Sequence, residues 1–136
     1  MTEAKPEKKR DPNNPCLFCK DPHGVSLVHE LAYSARDTYA VSPGHTLVIP
    51  KRHVASFFDL MPEEIIACMG LITEERRLLD AEFKPDGYNI GVNIGPAAGQ
   101  SIFHVHIHII PRYTGDVENP QGGVRHVITR NAHYTR

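Results

Sequence analysis

The stretch IFHVHIHII at residues 102–110 alternates apolar residues with histidines, and this alternation decides the predicted fold. Successive side chains of a β-strand point to opposite faces of a sheet. We therefore predict a strand over 102–110 that ends at Pro111, with its apolar face toward the core. That face comprises Phe103, Val105, Ile107 and Ile109. The other face carries His104, His106 and His108, spaced by about 6.6 Å with about 13 Å between the outer two, so the three rings do not share one metal ion.

Segments on both sides of this stretch predict further strands and one long helix. Residues 62–83 begin with proline and two glutamates, which suit the first turn of a helix. Its predicted core face, at helical spacing, consists of Ile65, Cys68, Met69, Ile72 and Leu79. Branched or alternating residues predict strands at 25–30, 31–36, 45–49, 88–94 and 124–129. Antiparallel strands with one long helix indicate an α+β fold.

Length and composition exclude several classes of protein. A chain of 136 residues is expected to form one domain, and no apolar run reaches the roughly 20 residues of a membrane span. A net charge of -1 gives no electrostatic basis for binding a nucleic-acid polymer. Three cysteines favour a reducing, cytoplasmic location over a disulfide framework. Residues 1–14, charged and rich in proline, predict a disordered arm without a secretory signal, which leaves 15–136 as the domain.

A row of imidazoles suggests phosphate chemistry. Each ring titrates near neutral pH, can donate or accept a hydrogen bond, and can act as a nucleophile. The row follows a glycine-rich loop, GPAAGQS at 95–101, whose backbone can approach an anion closely. The alternative is that the three histidines form the polar outer face of an ordinary antiparallel sheet.

Several blocks of sequence carry a resemblance to a known family. The segment HVHIHII at 104–110 resembles the motif of the histidine triad superfamily of nucleotide hydrolases and transferases. The similarity covers roughly residues 16–116 and includes PGHTLVIPKRH at 43–53, YNIGVN at 88–93, PR at 111–112 and GD at 115–116. It implies the histidine triad fold, an antiparallel sheet of about five strands packed with one long helix and a short one.

The resemblance also implies catalytic roles. His106 occupies the position of the nucleophile, whose ring attacks the α-phosphorus of a nucleotide and forms a nucleotidyl-imidazole that water then hydrolyses. His108 corresponds to a hydrogen-bonding partner of the phosphate or the leaving group. Gln100 and Ser101 correspond to residues that contact the α-phosphate and help to protonate the leaving oxygen. His104, the first histidine, completes the expected catalytic set.

Other positions correspond to substrate-binding residues of the family. Asn93 matches an asparagine that binds the phosphate region, and Gly99 lies in the loop that approaches it. Asp37 matches an acid that binds the ribose hydroxyls. On the residues alone, Asn93 is equally well explained as the end of a strand and Asp37 as a turn residue. The base is expected in an apolar cleft that includes Leu17, Phe18 and Val41.

Cys16 and Cys19 form a CxxC pair, which alone indicates a redox site, a structural metal site or neither. Some bacterial histidine triad proteins complete a zinc site with two histidines, and the matching positions here are His53 and His104. The resemblance thus implies a Cys₂His₂ Zn²⁺ site. Four protein ligands leave no open coordination position, so the zinc is expected to be structural.

The branch of the family is indicated by the residues around the triad. Gln100, the Pro111-Arg112 pair and the Gly115-Asp116 pair resemble the diadenosine polyphosphate hydrolases. A phosphoramidase, a nucleotidyl-sulfate hydrolase and a non-catalytic nucleotide- or metal-binding module remain alternatives. Family members form homodimers through sheet edges, so a homodimer is expected. Arg125 binds distal phosphates or belongs to a solvated surface.

Overall fold

The structure, a computed structural model, describes residues 15–20 and 22–134; the predicted arm at 1–14 lies outside this range. Within it the chain forms five strands and two α-helices. The strands are β1 (Val25–Val28), β2 (Ala32–Arg36), β3 (Thr46–Pro50), β4 (Gly87–Val92) and β5 (Ile107–Arg112). The helices are α1 (Leu17–Lys20) and α2 (Pro62–Phe83), and short 3-10 helices lie at Phe57–Asp59, Pro96–Ala98 and Gly123–Asn131. The predicted α+β class, with one long helix and one short helix, is confirmed.

The strands form one antiparallel sheet in the order β1-β2-β3-β5-β4. The histidine-bearing β5 therefore lies inside the sheet, between β3 and β4. His108 is paired with Leu47 on β3 and with Gly91 on β4. Neighbouring strands on both sides hold the backbone of His108, while β4 and β1 form the sheet edges.

The core lies between one face of the sheet and α2. Ile107 and Ile109 of β5 pack there with Val48 of β3 and with Leu71 and Leu79 of α2. Full burial of each such side chain contributes about 1.5–3 kcal/mol. A second apolar cluster on the opposite face contains Phe18, Tyr33, Ala35, Leu47 and Ile49. This second cluster connects α1 to the face that carries the histidines.

Helix α2 has the predicted bounds, and its buried face shares Cys68 and Leu79 with the predicted face but also includes two glutamates. The residues that the core covers are Glu64, Ala67, Cys68, Leu71, Glu75 and Leu79. Met69, predicted on that face, is 57 % exposed. The difference arises because two glutamates are buried with partners: Glu64 binds Arg52, and Glu75 binds Arg36. The spacing of apolar residues does not reveal buried carboxylates, whose desolvation cost is offset by ion pairs.

Strand β5 begins five residues later than predicted and continues through Pro111. Before Ile107 the chain leaves the sheet, because the main-chain N–H of Val105 bonds to the carbonyl of Val54 at 2.8 Å. Phe103, predicted to face the core, is 49 % exposed. Proline is tolerated at position 111 because pairing with β3 ends at Ile109.

The predicted last strand, at 124–129, is wrong. That segment lies within the 3-10 helix Gly123–Asn131, which is interrupted at Ile128. The guanidinium of Arg125 donates hydrogen bonds to the carbonyls of Ala132 and Asn131 and lies 4.7 Å from the ring centre of Tyr134. These local contacts fold the tail on itself. No helix in the described part of the chain is both long and apolar enough for a bilayer span.

Candidate active site

His106 lies at the end of the irregular segment that leads into β5, and its ring is held by the backbone. Its Nδ1 atom is 2.8 Å from the carbonyl oxygen of His104. A carbonyl only accepts hydrogen bonds, so Nδ1 carries the proton and donates it. In the neutral ring the lone pair is then on Nε2. The structure thus gives His106 the tautomer in which Nε2 can act as a nucleophile.

His108 is held in a defined tautomer by a second histidine, His45. The N–H of Val41 donates to Nδ1 of His45 at 3.1 Å, so the proton of neutral His45 is on Nε2. That Nε2 lies 2.9 Å from Nδ1 of His108. His108 accepts this hydrogen bond on Nδ1, which places its own proton on Nε2. His108 is therefore able to donate from Nε2.

Burial keeps His108 neutral. It lowers the pKa of His108 to about 4, and the neighbouring rings of His106 and His45 act in the same direction. Burial also lowers the pKa of His45, partly opposed by the carboxylate of Asp37, which lies 3.4 Å from Nε2 of His45. At neutral pH the site therefore presents a neutral hydrogen-bond donor in His108.

His106, His108 and Asp37 line a cavity of about 500 Å³, here called cavity A. Its walls include Leu17, Phe18, Asp37, Ser101, His106 and His108. The ring of Phe18 lies 5.1 Å from that of His106, centre to centre. Cavity A combines an apolar wall, the His106 ring with its lone pair on Nε2, the neutral donor His108 and the carboxyl group of Asp37. It can accommodate a planar base and a ribose with the adjoining phosphate beside the two histidines.

The remaining predicted site residues occupy different positions. Asn93 lines a neighbouring cavity that His108 also lines, and Ser101 is exposed in cavity A. Gln100 is buried, and its amide binds the loop around it: Oε1 accepts from the N–H of Gly95, and Nε2 donates to the carbonyls of Ala55 and Ile102. Gly99 ends the 3-10 helix Pro96–Ala98 with φ of 91°. The structure brings His106, His108, Ser101 and Asp37 together, and it does not bring the Gln100 amide or Gly99 to cavity A.

The four predicted zinc ligands converge beside the active site. Nδ1 of His104 lies 3.4 Å from both Cys16 Sγ and Cys19 Sγ, and 3.2 Å from Nδ1 of His53. Cys19 Sγ is 3.3 Å from Nδ1 of His53. Bond lengths of about 2.0–2.3 Å place tetrahedral zinc ligands about 3.3–3.8 Å apart, so the donor set fits Zn²⁺. All four donor atoms lie within 4.8 Å of one another.

His104 is oriented toward these ligands by the backbone. Its Nε2 lies 2.6 Å from the carbonyl oxygen of Pro50, which requires the proton on Nε2 and puts the ring's lone pair on Nδ1, toward the cysteines and His53. The first histidine of the triad thus faces the cysteines, while Nε2 of His106 and of His108 remain available to a substrate. Phe18, between the two cysteines in the chain, packs against both His104 and His106. The cluster therefore couples α1 to the wall of cavity A.

Two contacts were not anticipated from the sequence. His45 lies in the segment PGHTLVIPKRH at 43–53, which resembles the family. Its contact with His108 depends on the pairing of β3 with β5, which the sequence does not reveal. Arg52 binds the buried Glu64 through two nitrogens, next to His53. In the sequence, Arg52 stands between the end of a predicted strand and the predicted zinc ligand His53. Nothing in the sequence identifies Glu64 as its partner.

Comparison with known proteins identifies the family of this chain. The family model described as the HIT domain matches residues 21–115. The match covers well over half of the chain, and the chain belongs to the HIT domain family. Members of this family are nucleotide hydrolases or transferases.

Three relatives indicate the range of the family. An AP-4-A phosphorylase of Mycobacterium tuberculosis is 32 % identical over 79 % of this chain and 61 % of its own length. Adenylylsulfatase HINT3 of Arabidopsis thaliana is 36 % identical over 76 % of this chain and 55 % of its own. The crystal structure of a zinc-bound histidine triad family protein from Mycobacterium smegmatis has a TM-score of 0.70 at 32 % identity, covering 77 % of this chain and 80 % of that one.

Proposed function

We propose that this protein hydrolyses dinucleoside polyphosphates, or closely related nucleotides, at the α-phosphate through a covalent nucleotidyl intermediate on His106. The observation that carries the proposal is the hydrogen bond from Nδ1 of His106 to the carbonyl of His104, which leaves Nε2 as a lone-pair donor at cavity A. A merely structural histidine would not need its second nitrogen kept free beside a cavity of nucleotide size.

The proposed reaction has two displacements. In the first, the lone pair on Nε2 of His106 forms a bond to the α-phosphorus, and the bond from phosphorus to the bridging oxygen of the leaving group breaks. In the second, water attacks the same phosphorus and the N–P bond breaks, which returns the electron pair to Nε2 and releases a nucleoside monophosphate. Splitting one displacement into two lowers the barrier of each step.

Neighbouring residues are assigned supporting roles. Nε2–H of neutral His108 donates to the phosphate oxygens as charge moves onto the leaving group. Ser101 lies on the same cavity and can donate to the phosphate. Asp37 accepts hydrogen bonds from the ribose hydroxyls, and Asn93 binds the phosphates beyond the scissile bond. Gln100 and Gly99 shape the loop at 95–101, because the Gln100 amide is bonded to that loop and to Ala55.

Zinc is proposed as a structural component. Cys16, Cys19, His53 and His104 would hold it, and it would fix α1 against the histidine strand. It supplies no open coordination position to a substrate. The zinc-bound relative from Mycobacterium smegmatis supports this assignment.

The proposal also covers the oligomeric state, the cellular location and the partner molecules. We propose that residues 15–136 act as one domain in a cytoplasmic homodimer joined at a sheet edge, since an unpaired edge favours such pairing. The partner molecules are small nucleotides, with no role for nucleic-acid polymers or membranes. A net charge of -1 supports this, because binding a nucleic-acid polymer requires a strongly positive surface.

A second candidate reaction has the same chemistry with a smaller leaving group. The 36 % identity with adenylylsulfatase HINT3 supports adenylyl sulfate as a substrate, and adenosine phosphoramidate likewise has a small leaving group. Turnover of diadenosine polyphosphates, adenylyl sulfate and adenosine phosphoramidate under one set of conditions separates these candidates. A non-catalytic module would bind AMP and release no product from any of them, which would overturn the proposal.

A further inference from the structure

Glu75 places a carboxylate in the middle of the buried face of α2. It lies four residues from Leu71 and four from Leu79, and all three side chains are fully buried. Its partner is Arg36 at the end of β2, whose Nη1 lies 2.7 Å from Oε2 of Glu75. Replacing a buried ion pair by well-packed apolar side chains is often neutral or stabilising, so stability alone does not explain this pair.

The ion pair continues into β3 and the loop before it. Nη1 of Arg36 donates to Oε2 of Glu75 and also to the hydroxyl oxygen of Thr46, which lies 3.0 Å away. The Thr46 hydroxyl donates its own proton to the carbonyl of Gly44 at 2.7 Å. Gly44 has φ of 87°, and an added Cβ there would lie 2.9 Å from the ring of Phe83, so this loop packs directly against the end of α2. The hydrogen bonds thus connect the loop to the buried carboxylate.

This series of hydrogen bonds ends beside two residues of the active site. Arg36 and Thr46 form the last residue pair between β2 and β3 before the connection that joins them. Asp37 and His45 come directly after that pair, and the N–H of Asp37 donates to the carbonyl of His45 at 2.9 Å. Oδ2 of Asp37 lies 3.4 Å from Nε2 of His45. The position of Asp37 relative to His45 therefore depends on how Arg36 and Thr46 are held.

From these contacts we infer that Glu75 is a positioning residue, which acts through Arg36 to hold Asp37 and His45 in the arrangement that the active site requires. Glu75 does not line cavity A, so its effect on a substrate passes through these neighbours. Displacing them should weaken the ribose contact of Asp37 and release the tautomer of His108 that His45 sets. The inference rests on the proposed function for the ribose contact, whereas the His108 tautomer is measured without a substrate.

The test follows two readouts in variants of the full chain. Ribose recognition is measured as the preference for AMP over dideoxy-AMP, which lacks both ribose hydroxyls, and nitrogen-15 NMR gives the tautomer of His108. We expect the wild type to bind AMP about ten-fold more tightly than dideoxy-AMP, the scale for a hydrogen bond to a charged group. E75Q removes the negative charge, whereas T46V keeps the ion pair and removes the hydroxyl between Arg36 and Gly44. Both variants should lose most of the preference for AMP and populate a second tautomer of His108.

S34A is the matched control for the same carboxylate. Ser34 is fully buried on β2, and its hydroxyl donates to Oε1 of Glu75 at 2.7 Å. That hydroxyl accepts from the N–H of Leu27 on β1, so its hydrogen bonds lead away from Asp37 and His45. S34A should therefore lower the free energy of unfolding in urea to a similar extent as T46V, and leave both the preference for AMP and the His108 tautomer unchanged.

Each outcome decides the inference. Wild-type values of both readouts in E75Q and T46V, or equal changes in S34A, would overturn it and make the ion pair purely structural. If E75Q does not fold, the comparison of T46V with S34A gives the same decision. A wild type that binds AMP and dideoxy-AMP equally would contradict the ribose contact in the proposed function. In that case a His108 tautomer that changes in T46V and not in S34A still supports the positioning role, and an unchanged tautomer overturns it.

Discussion

The Nε2 atom of His45 lies 2.9 Å from Nδ1 of His108, and this contact determines which nitrogen of His108 carries its proton. The chain of donors begins at the main-chain N–H of Val41, passes through His45 and ends at Nε2 of His108. A backbone group in the connection between β2 and β3 thereby sets the tautomer of a side chain on β5. A backbone group also sets the tautomer of His106, because the carbonyl of His104 accepts a hydrogen bond from its Nδ1.

Replacing His45 with phenylalanine is expected to lower turnover by about 10–100-fold, the scale for losing a partner that orients a functional imidazole. Without the donor on His45, Nδ1 of His108 is free to take the proton, so Nε2 no longer has to donate. Steady-state kinetics measures the loss, and nitrogen-15 NMR of the imidazoles reports the tautomer. H133F, at an exposed tail histidine, is the control. An unchanged His108 tautomer in H45F would contradict the argument.

Removing both thiols of the CxxC pair is expected to remove the metal. The C16S/C19S protein should contain almost no zinc by elemental analysis, whereas the wild type should contain close to one per chain. Its melting temperature should fall, and AMP should bind more weakly because Phe18 loses its support against His106. C68A is the control for a lost thiol, since Cys68 is buried in the core away from the cluster. If wild-type protein free of metal melts at the same temperature as the zinc-bound protein, the assignment of a structural zinc site is refuted.

The Gln100 amide is expected to act through the loop. Q100A leaves the N–H of Gly95 and the carbonyls of Ala55 and Ile102 without this partner, at a cost of about 1–3 kcal/mol in the free energy of unfolding. Urea denaturation measures this cost, and Q121A, at an exposed glutamine, should change it little. If Q100A lowers turnover with unchanged stability and unchanged hydrogen exchange at 95–101, Gln100 contacts the substrate directly instead.

Acid should destabilise the protein in part through Glu64. The hydrogen bonds from Arg52 hold the pKa of the Glu64 carboxyl below its usual value, with a contribution from the N–H of Met61 and against the effect of burial. A pKa that is lower in the folded state contributes stability above the unfolded-state pKa, near 4.3, and loses it as the pH falls. E64Q should therefore flatten the decline in unfolding free energy as the pH falls from about 5 to 3. E63Q, at an exposed glutamate of the same helical turn, is the control; equal curves for E64Q and wild type would contradict this.

Much of the fold was predictable from local patterns. Helix α2 has the bounds expected from Pro62 and its acidic first turn, and four of the predicted strand segments contain β1 to β4 apart from one-residue extensions. Alternation of apolar residues placed Ile107 and Ile109 in the core correctly. These features are local in sequence, so periodicity and turn residues suffice to define them.

The errors have a shared physical origin in tertiary contacts. Val105 bonds to Val54 across the fold, which removes 102–106 from the sheet even though the residues alternate. Val124–Thr129 has the composition of a strand, but Arg125 and Gly122 fold it into a 3-10 helix against its own end. The alternation alone predicts one row of three histidines; His104 instead faces Cys16, Cys19 and His53, as the resemblance implied, while His106 and His108 line cavity A. Such partnerships depend on residues far apart in the chain.

The zinc set was predictable only through family resemblance. A CxxC pair does not identify its distant partners, and the structure brings Cys16 to His104 over 88 residues of chain. Asp37 was placed near the ribose site by resemblance, and its proximity to His45 became evident only from the fold. Roles for these residues remain proposals that the experiments above test.

Quenching the wild-type protein during turnover of a labelled diadenosine polyphosphate tests the central claim most directly. The account predicts an acid-labile nucleotidyl adduct that maps to His106, absent from H106N, which should still bind AMP within a few-fold. H108A should form the same adduct with turnover reduced by about 10²–10³, because it lacks a stabilising donor but keeps the nucleophile. An adduct on His104 or His108, or normal turnover by H106N, would contradict the account.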